Sequence, residues 1–97
     1  MLKDVIEVHP LDGYRLALRF EDAAAGTVDV AELVEFHGVF APLADKAFFD
    51  RVRVDPELGT VVWPNGADLD PDVLYARATG EPLPDFMFLR VGPEPRD

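Results

Sequence analysis

Residues 55–75, which read DPELGTVVWPNGADLDPDVLY, constrain the fold more than any other part of this 97-residue chain. The run holds a turn, an apolar strand with the only Trp, an Asn-Gly turn and a helix start, in that order. Asn-Gly favours a tight turn because glycine adopts positive φ without steric cost. We therefore predict a strand over residues 60–63, which the Asn-Gly turn connects to a C-terminal helix.

The start of that helix has three supporting signals. Asp70 can accept a backbone N–H as N-cap, and Pro71 suits the first helical position because the N–H that proline lacks would be unpaired there. Asp72 places a negative charge at the positive end of the helix dipole. The pattern predicts a helix that runs to about Thr79, with Gly80 directly after its end.

Apolar alternation predicts the remaining strands. Over residues 14–21, large apolar side chains alternate with polar or small ones, which is typical of a strand with one buried face. Shorter patterns predict strands over 5–8, 27–30 and 51–55, and a short helix over 46–50 with Asp45 as its N-cap. Residues 38–43 are expected to be irregular, with Val39, Phe40 and Leu43 in the core.

Together these elements predict an α+β domain. We expect a small antiparallel sheet, formed by a β-meander and a hairpin, with the C-terminal helix as its cover. Residues 1–80 would form this single domain, since a chain of 97 residues suffices for one modest core. Residues 81–97 would form an extension, in which an apolar segment at 86–91 precedes a frayed tail.

The composition argues against several classes of function. The chain has no Cys and no Ser, which removes disulfides, thiolate chemistry and serine-based acyl transfer. Its net charge of −10 disfavours direct binding to nucleic-acid phosphates and suits a basic protein partner. Because it has neither the roughly 20-residue apolar run that spans a bilayer nor a signal-peptide pattern, we expect a cytoplasmic protein that does not contact membranes.

No arrangement of polar residues indicates an active site or a cofactor. Asp68, Asp70 and Asp72 alternate as in a calcium loop, but a proline interrupts them and the required glycine and final glutamate are missing. His9 and His37 have no second histidine at zinc-binding spacing. We therefore expect a non-enzymatic protein without catalytic residues, a metal or a cofactor.

Two features are candidate protein contacts. The segment 86–91 is apolar on both faces of an extended strand, so it is expected to dock either on its own domain or at a sheet edge of another chain. Four arginines would form a basic outer face if their two strands shared a sheet; otherwise they would pair with acidic residues across the strands. These arginines are Arg15, Arg19, Arg51 and Arg53, and the acidic residues are Glu7, Asp29 and Glu21. The predicted partner contacts are Phe86, Phe88, Leu89, Val91, Arg51 and Arg53.

Several separate motifs resemble those of the bacterial domain of unknown function 2442, in the family's order and over about residues 1–80. The motifs are MLKDV at 1–5, PLDGY at 10–14, FED at 20–22, GVFAPL at 38–43, FDRVRV at 49–54 and VWPNGADLDPDVL at 62–74. One departure is the turn at residues 23–25, which reads AAA where members often carry a glycine.

The resemblance implies a compact α+β domain that is often encoded beside another small protein and is suggested to be the antitoxin-like half of a two-protein module. It brings no accepted catalytic residues. Its end signature is expected to determine the fold, as an aromatic anchor, a turn and a helix cap; the residues are Trp63, Pro64, Asn65, Gly66, Asp68, Asp70 and Pro71. We predict a domain that binds a small cognate protein. The alternatives are a homodimer sealed by residues 86–91 and a small-ligand site in the turn at residues 64–70.

Overall fold

The computed structural model describes residues 4–80, in which a three-stranded sheet, a two-stranded hairpin and a C-terminal helix enclose one core. In chain order the elements are β1 Val5–Pro10, β2 Arg15–Phe20, β3 Ala25–Asp29, α1 Val30–Leu33, a 3-10 helix Gly38–Ala44, α2 Lys46–Phe49, β4 Arg53–Asp55, β5 Thr60–Val62 and α3 Pro71–Thr79. β1, β2 and β3 pair antiparallel in that order, and β4 and β5 pair antiparallel with each other. The predicted α+β class is confirmed.

The buried face of the three-stranded sheet is the one that the alternation in β2 predicted. Leu16, Leu18 and Phe20 are at most 3% exposed, whereas Arg15 and Arg19 face solvent. Burial of such side chains provides most of the free energy of folding, at about 25 cal/mol per Å² of apolar surface. The buried cluster consists of Val5, Leu16, Leu18, Phe20, Val28, Val30, Leu43, Phe49, Val61, Trp63, Ala67, Leu69 and Leu74.

The helix α3 begins and ends as its sequence predicted. The Asp70 side chain accepts a hydrogen bond from the Asp72 N–H at 2.8 Å, and at the other end the Gly80 N–H donates to the Ala76 carbonyl at 2.8 Å. Leu74 is fully buried and joins the helix to the core. Neither α3 nor any other helix within residues 4–80 is long and apolar enough to cross a bilayer.

The segment predicted to be irregular at 38–43 forms the 3-10 helix instead, and one of its three predicted core residues is wrong. Leu43 is fully buried and Phe40 packs against the core, but Val39 is 52% exposed. A 3-10 helix has three residues per turn, so Phe40 and Leu43 share a side and Val39 lies on another. Apolar residues alone did not reveal this period.

The predicted strand at 51–55 is shorter than expected, because it begins at Arg53. The Arg51 N–H donates to the Phe48 carbonyl, and the Val52 N–H donates to the Phe49 carbonyl. These two bonds close the end of α2, so the backbone of Arg51 and Val52 turns before it becomes extended. β1, in contrast, continues past its predicted end at residue 8 to Pro10.

The turn between β2 and β3 places an alanine in an unfavourable conformation, and this gives a stability prediction. Ala23 has a φ of 73°, in the left-handed region, which costs a residue with a Cβ about 1–2 kcal/mol. We expect Ala23→Gly to raise the free energy of unfolding by about 1 kcal/mol, after the larger backbone entropy of glycine in the unfolded chain is subtracted. Urea denaturation followed by circular dichroism would measure it.

Ala25→Gly is the matched control for that turn. Ala25 is exposed and lies at the start of β3, where it pairs with Arg19 and has ordinary extended backbone. The same chemical change there should lower the free energy of unfolding by about 0.5–1 kcal/mol, because only the entropic cost of glycine remains. Equal effects of both substitutions would contradict a strained Ala23.

Candidate protein-binding groove

An open groove lies between β1 and β4, where the three-stranded sheet and the hairpin meet without a ladder of hydrogen bonds. Its volume is about 330 Å³, at the low end of the range of small-molecule sites. A groove of this size suits a few side chains of another peptide segment better than a whole cofactor. The residues that line it are Ile6, Glu7, Val8, His9, Val52, Arg53 and Val54.

Among residues 4–80, β1 is an edge strand, and the edge that is unpaired there faces away from β2. The Leu11 N–H donates to the Arg15 carbonyl at 2.9 Å, which sets the alternation of the β1–β2 ladder. In an antiparallel pair only every second residue exchanges hydrogen bonds with its partner. Val8 and Pro10 are the residues in between, so they direct their backbone groups away from β2. Pro10 fits such an edge because it has no N–H to donate.

Within the same described part of the chain, β4 also has an unpaired edge. The Trp63 N–H donates to the Ala67 carbonyl at 2.9 Å, so on β5 the backbone groups of Thr60 and Val62 face β4 instead. Thr60 pairs with Asp55, and Val62 pairs with Arg53. Val54 lies between those two residues, so its N–H and C=O point away from β5.

The two edges meet at one end of the groove and expose apolar surface along its length. The Val5 N–H donates to the carbonyl of Gly59, in the β4–β5 turn, at 2.9 Å. From there β1 passes through an irregularity between Val5 and Glu7, at which Ile6 has no partner in β2 and is 45% exposed. Val8, Val52 and Val54 are half-buried. A residue without a cross-strand partner forms a β-bulge, and bulges are common at sheet edges and where strand pairing ends.

The four arginines do not form one basic face, because β2 and β4 belong to different sheets. Arg19 pairs with Glu7 at 2.8 Å, as the cross-strand alternative predicted, and this hydrogen-bonded charge lowers the pKa of Glu7 and raises that of Arg19. Arg15 stands opposite Asp29 and donates to the Asp12 carbonyl. Of the remaining two, Arg53 lines the groove; Arg51 is exposed in the preceding turn.

The Trp63 signature forms the base of the hairpin and is held by internal contacts. The Trp63 ring is 1% exposed, and its Nε1–H donates to the Phe49 carbonyl at 2.9 Å. The Asn65 side chain accepts from the Ala67 N–H at 3.2 Å and donates to the Val39 carbonyl at 2.9 Å. These bonds tie the turn to α2 and to the 3-10 helix. Pro64, Gly66 and Asp68 are exposed in the same turn.

Two of the three acidic residues at 68–72, Asp70 and Asp72, lie at the start of α3. Asp70 is the N-cap of α3, and Pro71 is its first residue. Burial, and secondly the nearby charge of Asp70, raise the pKa of Asp72. Within residues 4–80, no group of three or more His, Cys, Asp or Glu residues has the arrangement of a metal site. His9 borders the groove, and His37 lies elsewhere beside Glu35, with 2.9 Å between its Nε2 and the Glu35 Oε1.

Sequence reasoning found one groove residue, Arg53, and missed the apolar ones. Ile6, Val8, Val52 and Val54 belong to two strands that are distant in the chain, and apolar alternation does not tell which strand edges remain unpaired. Pro10 was the one sequence signal for an unpaired edge of β1, since a proline inside a strand indicates an edge strand. The predicted contacts Phe86, Phe88, Leu89 and Val91 lie outside the described residues.

The fold and the groove define a small α+β domain with an exposed strand edge. The family described as Protein of unknown function (DUF2442) matches residues 5–80, so the chain belongs to this family. No match was found among curated proteins or among solved structures.

Proposed function

We propose that this chain is a non-enzymatic protein-binding domain that associates with a small cognate protein. The observation that carries the proposal is the groove between β1 and β4, in which exposed Ile6 stands beside half-buried Val8 and Val54. An unpaired strand edge with apolar side chains along it is suited to the addition of a peptide strand, where backbone hydrogen bonds give affinity and side chains give specificity.

The charge of the chain favours a basic partner. With 19 acidic and 9 basic residues, the chain has a field that accelerates association with a positively charged protein and slows it with an acidic one. We further propose that the pair is a bacterial, cytoplasmic two-protein module in which this chain is the antitoxin-like half. The proposed contacts are the groove, Arg51 and Arg53 beside it, and residues 86–91.

The two alternatives have less support. In the turn at residues 64–70, the Asn65 side chain and the Asp70 side chain make hydrogen bonds within the domain, so they are engaged without a ligand. A homodimer sealed by residues 86–91 would bring together two chains that each carry a net charge of −10 and therefore repel each other. Measuring the mass of the complex separates a homodimer from the proposed hetero-complex.

The test is co-expression of the chain with the small proteins encoded beside its gene, followed by light scattering and mass spectrometry. We expect a stable hetero-complex, and we expect Ile6→Glu to reduce its yield at least about tenfold because a charge is placed in the apolar groove. Val39→Glu is the matched control. It adds the same charge at an exposed apolar residue, 52% accessible, that does not line the groove.

Three outcomes would contradict the proposal. One is a chain that remains alone in the presence of every neighbour, and another is a homodimer that ignores them. The third is an equal loss of binding in Ile6→Glu and Val39→Glu, which would remove the groove as the contact. A complex with a strongly acidic protein would contradict only the charge argument.

A further inference from the structure

We propose that Asn65 is a site of spontaneous deamidation, which the fold suppresses and which opening of the turn around it releases. This turn, at residues 63–67, is called the Asn65 turn below. The reaction consumes only water, so the proposal does not depend on the proposed function or on any partner. Its consequence is an irreversible chemical change at the residue that ties the turn to the 3-10 helix.

The residue after Asn65 makes its side-chain amide reactive. Gly66 has no side chain to hinder an attack by its own backbone nitrogen on the amide carbon of Asn65. Both residues are exposed, and no atom lies within 4 Å of the ideal Cβ position of Gly66, so water and hydroxide have access. Asn65 is the only asparagine of the chain, which also has no glutamine. It is therefore the only side-chain amide that can react in this way.

The reaction exchanges the amide nitrogen for oxygen in two steps. The Gly66 nitrogen gives its proton to hydroxide and bonds to the Asn65 Cγ, while the Cγ–Nδ2 bond breaks and the amide nitrogen leaves as ammonia, which takes a proton from water. Water then opens the resulting succinimide ring. Its attack at Cγ gives aspartate, and its attack at the backbone carbonyl carbon gives isoaspartate, in which the main chain runs through Cβ and Cγ. Either product adds a negative charge.

In the folded chain, hydrogen bonds engage the groups that must react. The Gly66 N–H, whose proton must leave, donates to the Trp63 carbonyl at 2.9 Å. The Asn65 Oδ1 accepts from the Ala67 N–H at 3.2 Å, and its Nδ2 donates to the Val39 carbonyl at 2.9 Å. Because both ends of the amide are held, Cγ and the Gly66 nitrogen cannot rearrange for attack until these bonds break. The reaction therefore proceeds from a locally opened or unfolded state.

The products do not restore these contacts. An ionised aspartate only accepts hydrogen bonds, so the donor to the Val39 carbonyl is lost and a carboxylate oxygen would face that carbonyl oxygen. Isoaspartate lengthens the main chain inside a turn that two backbone bonds close, from the Gly66 N–H to the Trp63 carbonyl and from the Trp63 N–H to the Ala67 carbonyl. Opening followed by deamidation thus weakens the Asn65 turn permanently.

The first test is incubation of the full-length chain at neutral pH, in native buffer and in urea, followed by mass spectrometry. Conversion of an amide to an acid changes the mass, and with a single side-chain amide every such change is assigned to Asn65. We expect deamidation to be at least about tenfold slower in native buffer than in urea, because the native chain reacts only while it is open. Equal rates, or an unchanged mass in urea, would overturn the proposal.

Asn65→Gln is the matched control for this experiment. It keeps a side-chain amide, but attack by the next backbone nitrogen would have to close a larger and less favourable ring. We expect the mass of this variant to stay constant in urea over the time in which the wild type reacts. A mass change as fast as that of the wild type would show that attack by the Gly66 nitrogen is not the route, and would overturn the proposal.

Refolding measures the consequence of the reaction. Wild-type chain that has been aged in urea until most of it is deamidated is refolded, and it is compared with chain that was unfolded only briefly. We expect the aged chain, and likewise Asn65→Asp, to unfold at a lower urea concentration than the fresh wild type. Asp12 and Gly13 can form the same ring without a change of mass, so Asn65→Gln aged in the same way measures that contribution. An aged chain as stable as the fresh one would overturn the proposal.

Discussion

Trp63→Ala is expected to destabilise the domain by about 4 kcal/mol, the largest effect of any single substitution that we predict. The Trp63 ring is 1% exposed and packs on Phe49 with 5.8 Å between the ring centroids. Truncation leaves a large cavity and removes one of the two N–H groups that donate to the Phe49 carbonyl; the Val52 N–H remains. Since domains of this size have about 5–15 kcal/mol of stability, the loss would remove between about a quarter and four-fifths of it. Thermal unfolding should shift down by more than about 15 °C.

Trp63→Phe separates the two contributions to that loss. It keeps an aromatic ring in the core but removes the Nε1–H, which donates to the Phe49 carbonyl at 2.9 Å. The Phe49 carbonyl keeps the hydrogen bond from the Val52 N–H at 3.3 Å, so the variant loses one hydrogen bond, about 0.5–1.5 kcal/mol, and should lie between the wild type and Trp63→Ala. A Trp63→Ala protein as stable as the wild type would contradict the role of Trp63 as the core anchor.

Gly26→Ala is expected to destabilise the domain by about 3 kcal/mol, the upper end of the range for overpacking. A Cβ on Gly26 would lie 2.0 Å from the Ala78 carbonyl oxygen and 2.7 Å from the carbonyl carbon. Both are backbone atoms of α3, so no side-chain rotation can relieve the clash and the helix must move away from β3. Denaturant unfolding, together with the chemical shifts of α3, would measure the change.

Gly13→Ala is the control for Gly26→Ala. The same added methyl group meets no atom within 4 Å at Gly13, but its φ of 68° lies in the left-handed region. The left-handed backbone costs alanine about 1–2 kcal/mol, and the lower entropy of alanine in the unfolded chain offsets part of it, so the expected loss is about 1 kcal/mol. If the Gly26 variant lost no more than the Gly13 variant, α3 would not be as close to β3 as described.

The Trp63 and Gly26 variants also test the groove. The contacts of these two residues position β4 and β1, the strands on its two sides. Trp63 joins the hairpin that carries β4 to α2, while Gly26 lets α3 lie against the sheet that includes β1. Milder variants at either place should change partner binding along with stability. Ile6→Glu should change binding alone, since its side chain is half exposed and contributes little to the core.

Most of the secondary structure could be predicted because its signals are local. Asp45 and Asp70 accept N–H bonds two residues ahead of them, so their roles as N-caps depend on the neighbouring residues only. The alternation of β2 likewise follows from a single strand with one buried face. The wrong predictions for residues 38–43 and 51–52 have a related cause. In both places backbone hydrogen bonds form a turn or a 3-10 helix. The pattern of apolar residues alone does not distinguish these from an irregular segment or a strand.

By itself, the sequence determined the α+β class, the caps of α2 and α3, the buried face of β2 and the family to which the chain belongs. Only the tertiary structure decided that β2 and β4 lie in different sheets, that Arg19 pairs with Glu7, and that β1 and β4 leave a groove between them. The physical reason is the range of the interactions. Caps and alternation act between close neighbours in the chain, whereas an unpaired edge depends on which distant strands the core brings together.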